Sequence, residues 1–417
     1  MIINEAKFII ISMDKEYVIL EIKNKSLKLL VGYVFDNKIK VIYRKKVQLS
    51  VPLKDGDVLD VGTLSSDISN AFSSAKEDLK NRYNLKDVIL VLPPFGLEVY
   101  NSNKITNTVS PTPEINNIDV KNVHFLIEKE SVPNSNTLVC IIPNYFKIDN
   151  DNTLYRRAPL GMKSNTLSLN ANVYTLPFKM VDDIKRAVLN ANLSINKTLI
   201  NTLCIASLEE YNNFKEKSYI YIDVGSKNTT LSLIGNCRVC GSTFFDLGLD
   251  NLTESIMNEF SINQNKAIEL RDIFGLDESR FAYNPAIAKT IKDGNEIQFT
   301  RDNLNTIVNS FIKEWNSYLN NSIKYLMKDN LDSINLVPLV FNGNGLKLKG
   351  LKDKILINFV SNIIYFLETN VVGANPEDYA SLLGAIILSK ELDDNYKQIL
   401  RTSSQNNNPN LTRVGGN

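Results

Sequence analysis

The chain has 417 residues, 43% of them hydrophobic and 22% charged, with a formal net charge of +1. That length accommodates two or more subdomains with full cores, and the near-neutral balance excludes the broad basic field of a nucleic-acid binder and any acidic tail. Four cysteines, Cys140, Cys204, Cys237 and Cys240, are too few for a disulfide scaffold, and no apolar run has the length of a membrane-spanning helix.

The N-terminal MIINEAKFIIISMDKE lacks the basic start and small-residue cleavage site of a signal peptide, so a cytoplasmic protein is expected. Within it Ile2, Ile3, Ala6, Ile9, Ile10 and Met13 share one helical face, while FIIIS equally suits an added edge strand. Residues 17–50 alternate apolar and polar side chains around Asp36-Asn37, the pattern of consecutive antiparallel strands. Leu64, Ile68, Ala71 and Phe72 then repeat at helical spacing across 62–82, with Ser66 and Asp67 near the start. DVILVLPP and LEVYNSN read as strands, followed by an Asn/Pro-rich loop, a helix around 117–130, and two more strand blocks, TLVCIIPNYFKID and TLSLNANVYTLP. Together they make a small β-rich unit set into a larger domain.

MVDDIKRAVLNANL is a helix, and YIYIDVGSKNTTLSLIG, residues 219–235, is a strand pair whose turn carries Asp-x-Gly, the opening of a phosphate-binding hairpin. Just beyond it Cys237 and Cys240 form a CxxC. A zinc site needs four ligands and the one histidine, His124, is remote, while a redox pair needs a helix N-terminus. They read as two small hairpin residues. LTESIMNEF and NKAIELRDIF supply helices, and 303–328 a long one around Trp315 whose apolar stripe faces the core. LVFNGNGLKLKGL is strand, glycine turn and helix, a turn whose amides suit a phosphate or a ribose. Two strand pairs with acidic ends, followed by this turn, are the order of two duplicated lobes gripping one nucleotide.

Over residues 17–390 the chain resembles the bacterial cell-division family FtsA. LEIKNKSLKLLVG is similar to its first phosphate motif, with Glu21 in the acidic position. IIPNYFKIDNDNTLYRRAPLGMKSNTLSLNANVYTLP, residues 141–177, is the more specific match. DLGLDNLTESI, the Ala267–Arg271 run, the VFNGNGLKLKGL turn and PEDYASLLGAI agree in order and spacing.

The resemblance implies an α/β, actin-like (actin/Hsp70/sugar kinase) two-lobed fold with an FtsA-type subdomain 1C in place of 1B. In its terms, 1–85, 178–216 and 375–395 form 1A, 86–177 form 1C, 217–250 and 305–374 form 2A, 251–304 form 2B, and 396–417 are a disordered tail. It further implies self-association into filaments, tethering of FtsZ filaments to the membrane at the division site on its inner face, and divisome partners on 1C. Nucleic acid is not among the partners. The implied cofactors are ATP or ADP with Mg²⁺, and the implied nucleotide site is Glu21, Lys23, Asn24, Lys25, Asp223, Gly225, Ser226, Lys227, Asn228, Gly248, Arg271, Gly343, Asn344 and Gly345, with Asp223 as a water-mediated metal ligand. For the FtsZ C-terminal tail the implied contacts are Arg280, Lys289 and Arg301 in 2B.

Departures from the family bear on these expectations. Lys23-Asn24-Lys25 and Ser226-Lys227-Asn228 stand where both phosphate loops need glycine. The lysines either serve as counter-charge in place of Mg²⁺ or fill the phosphate site with their stems. Ile268 replaces a glutamate near the adenosine, and Asn344 a glycine. Glu209 and Glu210 carry no general-base motif, so turnover is expected to be slow or absent. The tail SSQNNNPNLTRVGGN shows no amphipathic anchor helix, which leaves the route to the membrane open. A PilM-like pilus-assembly adaptor and an actin-fold ATPase or kinase are the rival readings.

Overall fold

The computed structural model describes residues 15–397, apart from residues 110, 131, 133–134, 150–151, 278–283, 293–294, 329–335 and 369–370. The N-terminal face at residues 2–13 and the tail from residue 398 lie outside the described residues.

Two five-stranded sheets share one topology. In the first, β1 (Tyr17–Ile22), β2 (Ser26–Phe35) and β3 (Lys38–Gln48) form an antiparallel meander, and β4 (Asp87–Leu92) and β8 (Ser194–Ile200) add in parallel, in the order β3-β2-β1-β4-β8. In the second, β9 (Tyr219–Val224), β10 (Thr229–Gly235) and β11 (Arg238–Phe245) repeat the meander, and β14 (Leu339–Asn342) and β15 (Ile364–Phe366) repeat the parallel pair, in the order β11-β10-β9-β14-β15. Even the outer turns correspond. Asp36 and Asn37 adopt φ of 48° and 56°, and Asn236 and Cys237 adopt 49° and 60°, the left-handed pairs that suit a right-handed hairpin. Cys237 is thus a turn residue, and Cys240 an exposed residue of β11.

A third sheet, β5 (Glu98–Asn107), β7 (Thr166–Pro177) and β6 (Asn136–Ile148) in the order β5-β7-β6, is covered on one face by α2 (Asn117–Glu128). It has its own core of Val120, Val123, Ile127, Phe146, Leu167 and Leu169. The insertion expected over 86–177 therefore needs correcting at its start. β4 is a member of the first sheet, between β1 and β8, and its unbroken buried run Val88–Leu92 is what burial on both faces of a parallel strand requires.

Helix α1 (Val61–Asp78) and helix α3 (Phe178–Asn190) pack together beside the first sheet. Helix α1 is capped by Asp60, which accepts from Gly62 N and Thr63 N, whereas Asp67 is buried inside the helix and holds Ser50. Residues 251–304 contain most of α5 (Leu249–Phe260), α6 (Gln264–Phe274) and the hairpin β12 (Ala286–Lys292) with β13 (Asn295–Thr300), ahead of α7 (Arg301–Leu326). They share a core with the second sheet, in which Ile256, Phe260 and Leu270 join Trp315. The Trp315 indole N–H donates to Thr229 Oγ1 at 2.9 Å, satisfying its one polar atom in the core. Helix α4 (Asn201–Tyr211) packs on α9 (Pro376–Lys397), which lies on the first sheet, while α4 also reaches β11. They meet most closely at Gly384, where a Cβ would stand 1.8 Å from the Cys204 carbonyl oxygen. α8 (Leu351–Asn358) follows a short 3-10 turn, Asn344–Lys347, after β14. Among the described residues strand β3 is an edge of the first sheet, with Lys38, Lys40, Arg44 and Lys46 exposed along it.

Candidate functional site

The β1–β2 and β9–β10 loops face each other across the space between the two sheets. Each is pinned by its own backbone. In the first, Lys23 N donates to Ser26 O at 2.9 Å, Leu53 N to Asn24 O at 2.7 Å and Leu49 N to Lys25 O at 2.9 Å, while Gly56 N donates to Asn24 Oδ1 at 3.2 Å. In the second, Gly225 N donates to Asn228 O at 2.9 Å, and Asp250 N, from the first turn of α5, donates to Ser226 O at 2.7 Å. Gly248 permits that approach, since a Cβ there would lie 2.5 Å from Ser226 O.

Between the loops lies a cavity of about 90 Å³. Lys23, Asn24, Lys25, Asp223, Gly225, Ser226, Lys227, Asn228 and Asn344 all line it. The fold thus brings together residues from three separate stretches of sequence. Pro93, Pro94, Phe95 and Asn201 also line it and carried no motif of their own. Asn201 Oδ1 and Asn228 Nδ2 are buried there without a protein hydrogen-bond partner.

All three lysines are engaged across the gap. Lys23 Nζ lies 2.8 Å from Asp223 Oδ2, Lys25 Nζ 2.5 Å from Asp250 Oδ2, and Lys227 Nζ 3.2 Å from Asp55 Oδ1. Burial alone would lower the Lys23 pKa, but the Asp223 and Glu21 carboxylates outweigh it and hold the ammonium above its ordinary value. Asp55 and Asp250 are ion-pair partners that the motifs did not reveal.

The other expected residues stand outside this cavity. Glu21 is 1% exposed; its Oε1 accepts from Ser381 Oγ at 2.6 Å, and Lys28 Nζ lies 3.5 Å from Oε2. Burial, only partly offset by Glu21, pulls the Lys28 pKa down to about 8. Gly343, at φ 104°, and Gly345 let the turn after β14 lie against β9, with a Cβ at Gly343 falling 2.3 Å from Asp223 Oδ1. Arg271 ties α6 to α5 through Thr253 Oγ1 at 2.8 Å. Glu209 is buried away from the cavity, and burial raises its pKa to about 7. Glu210 pairs with Arg156.

Of the 2B residues, Lys289 pairs with Glu296 at 2.9 Å, Arg301 pairs with Asp277 and lies 5.6 Å over the Phe274 ring, and Arg280 lies outside the described residues. The groove between α5 and α7 carries Glu254, Glu259 and Glu314 beside Phe299, Ile307 and Phe311.

The site fits a Mg²⁺-nucleotide poorly. A nucleotide needs several hundred cubic ångströms, and a cation at Asp223 would have to displace the Lys23 ammonium. Among the described residues no group of three or more His, Cys, Asp and Glu could hold a metal ion, and no helix is long and apolar enough to cross a membrane.

Two sheets of the same topology facing across a cleft, each presenting a β-hairpin loop to it, define an actin-like fold. Solved structures agree: the chain superposes on a chain of a PilM–PilN type IV pilus biogenesis complex with a TM-score of 0.59, 15% identity and coverage of 90% of this chain and 98% of that one. The ADP-bound MreB5 of Spiroplasma citri gives 0.52 at 10% identity, with coverage of 92% and 99%. No family model matches the chain. Among curated proteins it is 24% identical over 386 residues to the cell division protein FtsA of Enterococcus faecalis, covering 91% of this chain and 84% of that protein. With FtsA of Bacillus subtilis the figures are 22% over 378 residues, 89% and 82%. The chain is FtsA-like in sequence and actin-like in fold.

Proposed function

We propose that the chain polymerises at the division site and links FtsZ filaments to the membrane or to other division proteins, acting as an adaptor rather than as an enzyme. The observation that carries this reading is the likeness to FtsA over about nine-tenths of the chain and more than four-fifths of two relatives. The three-stranded unit β5-β7-β6 with α2, set into the first lobe where the 1C subdomain is expected, supports it. In this reading 98–177 serve as 1C, and 251–304 as 2B.

The FtsZ tail would dock on 2B through apolar contacts. Lys289 and Arg301 already hold carboxylates, and exposed pairs contribute only about 0.2–1 kcal/mol each. The cleft, with its lysines, gives weak or Mg²⁺-independent affinity for ATP. Titration of a labelled FtsZ tail peptide from the same organism should give saturable binding, reduced by Phe274→Ala and Arg301→Glu. Absence of binding would remove the FtsZ link, and equal binding by the variants would move it off 2B. The pilus-adaptor alternative shares only the fold, and it would gain ground if the tail peptide failed while copies of the chain still assembled.

A further inference from the structure

The three Lys–Asp pairs of the cleft all cross between the lobes. Two run from the first lobe to the second, from Lys23 to Asp223 and from Lys25 to Asp250, and the third runs the opposite way, from Lys227 to Asp55. Each lysine sits on a loop fixed by backbone hydrogen bonds, so its ammonium is presented to the far lobe by a rigid support. Separation of the lobes by a few ångströms would break all three pairs together, whereas loss of one pair leaves two. All six charges of these three pairs belong to the chain itself.

We propose that these pairs form an intramolecular clasp that holds the two lobes closed without nucleotide, making the closed conformation the resting state. The geometry supports this at several points. The cavity left between the loops is about 90 Å³, below the volume of a nucleotide pocket. The lysine stems and the pinned loop backbones border it, and the Ser226 carbonyl is already taken by the first turn of α5. A nucleotide entering the cleft would have to break the clasp, so ATP would act as a competitor of closure and not as its cause. The clasp is also ionic and partly exposed, with Lys25 and Lys227 showing 41% and 33% of their side chains. Closure should therefore loosen with salt, which screens such pairs over about 10 Å at 0.1 M and 3 Å at 1 M. None of this depends on the partner assigned to 2B.

Hydrogen exchange on the full chain tests the proposal, read at the amides of 23–27 and 225–229, with those of β1 and β9 as internal controls. Wild type should exchange slowly in both loops, and millimolar Mg²⁺-ATP should leave that rate unchanged or raise it. The triple variant Lys23→Gln, Lys25→Gln, Lys227→Gln should exchange about tenfold faster in both loops while the control strands stay protected. If the triple variant loses protection in the control strands, the decision passes to the outermost pair. Lys25→Asp should then speed loop exchange, and adding Asp250→Lys should slow it again. Loop exchange in the substituted chain equal to wild type, no recovery in the swapped pair, or a gain of loop protection in wild type on adding Mg²⁺-ATP would each overturn the clasp.

Discussion

Strands β1 and β9 open the two halves of the molecule with parallel sequences, Tyr-Val-Ile-Leu-Glu-Ile and Tyr-Ile-Tyr-Ile-Asp-Val, and the acidic residue holds the same place in both. Its surroundings differ. Glu21 turns inward to Ser381 and Lys28 and is sealed from solvent, whereas Asp223 faces the cleft and takes the ammonium of Lys23 from the opposite half. Equivalent positions in a duplicated topology have thus acquired different duties, one an internal support and the other a bridge. The sheets stay alike because their cores demand it; the loops and ends, under no such demand, have diverged.

The comparison can be broken first at the internal support. Lys28→Met leaves the Glu21 carboxylate buried without its cation and should cost about 3–5 kcal/mol in urea unfolding, much of it recovered in the double variant with Glu21→Gln. A loss under 1 kcal/mol would mean that Glu21 is as adaptable as Asp223. A buried carboxylate lacking a cation sharpens the point. Glu209 is 6% exposed, with no ion-pair partner among the described residues, and its pKa stands at about 7 against an ordinary 4.5. The folded chain therefore binds this proton more tightly than the unfolded chain does, so the stabilisation is complete below pH 4.5 and is lost as pH rises through 7. The contribution is on the order of 3 kcal/mol, and Glu209→Gln should flatten the pH dependence of stability between pH 4 and 8. Identical profiles for both proteins would refute that assignment. The smallest effects belong to the bridge. Lys25→Ala and Lys227→Ala should each cost only about 0.2–1 kcal/mol in global unfolding, since these pairs are partly exposed. Their effect should diminish further in 1 M salt.

Much of this was readable from residue order. The alternation around Asp36-Asn37 gave the first meander, and Asp-x-Gly with the Asn-Gly-Asn-Gly turn located the second lobe's side of the cleft, because period-two patterning and glycine turns are local signals. The start of the insertion was misplaced, because the apolar run of β4 looks the same whether it lies in a small unit or in the middle of a parallel sheet. The clasp could be read only on its lysine side. Asp223 lies 200 residues from Lys23, and Asp55 lies 172 residues from Lys227 in an ordinary Lys-Asp-Gly-Asp turn, so nothing local marks either as a partner. Glu21 was read as a residue of the nucleotide site, and it lies near the end of β1 outside the cavity; Lys28 and Ser381, which decide its environment, sit on β2 and α9.

Strand β3 carries a further consequence for assembly. An edge strand of 11 residues offers a long row of unpaired amides and carbonyls to any second strand that lies alongside it. Lys38, Lys40 and Arg44 put like charges on both sides of such an encounter, so two copies meeting edge to edge repel each other as their backbones approach; Lys46 is held by Asp378 at 2.7 Å. At the far side of the second sheet, β15 gives only three residues to pair with. Any contact between copies that runs through β3 has this repulsion to overcome first.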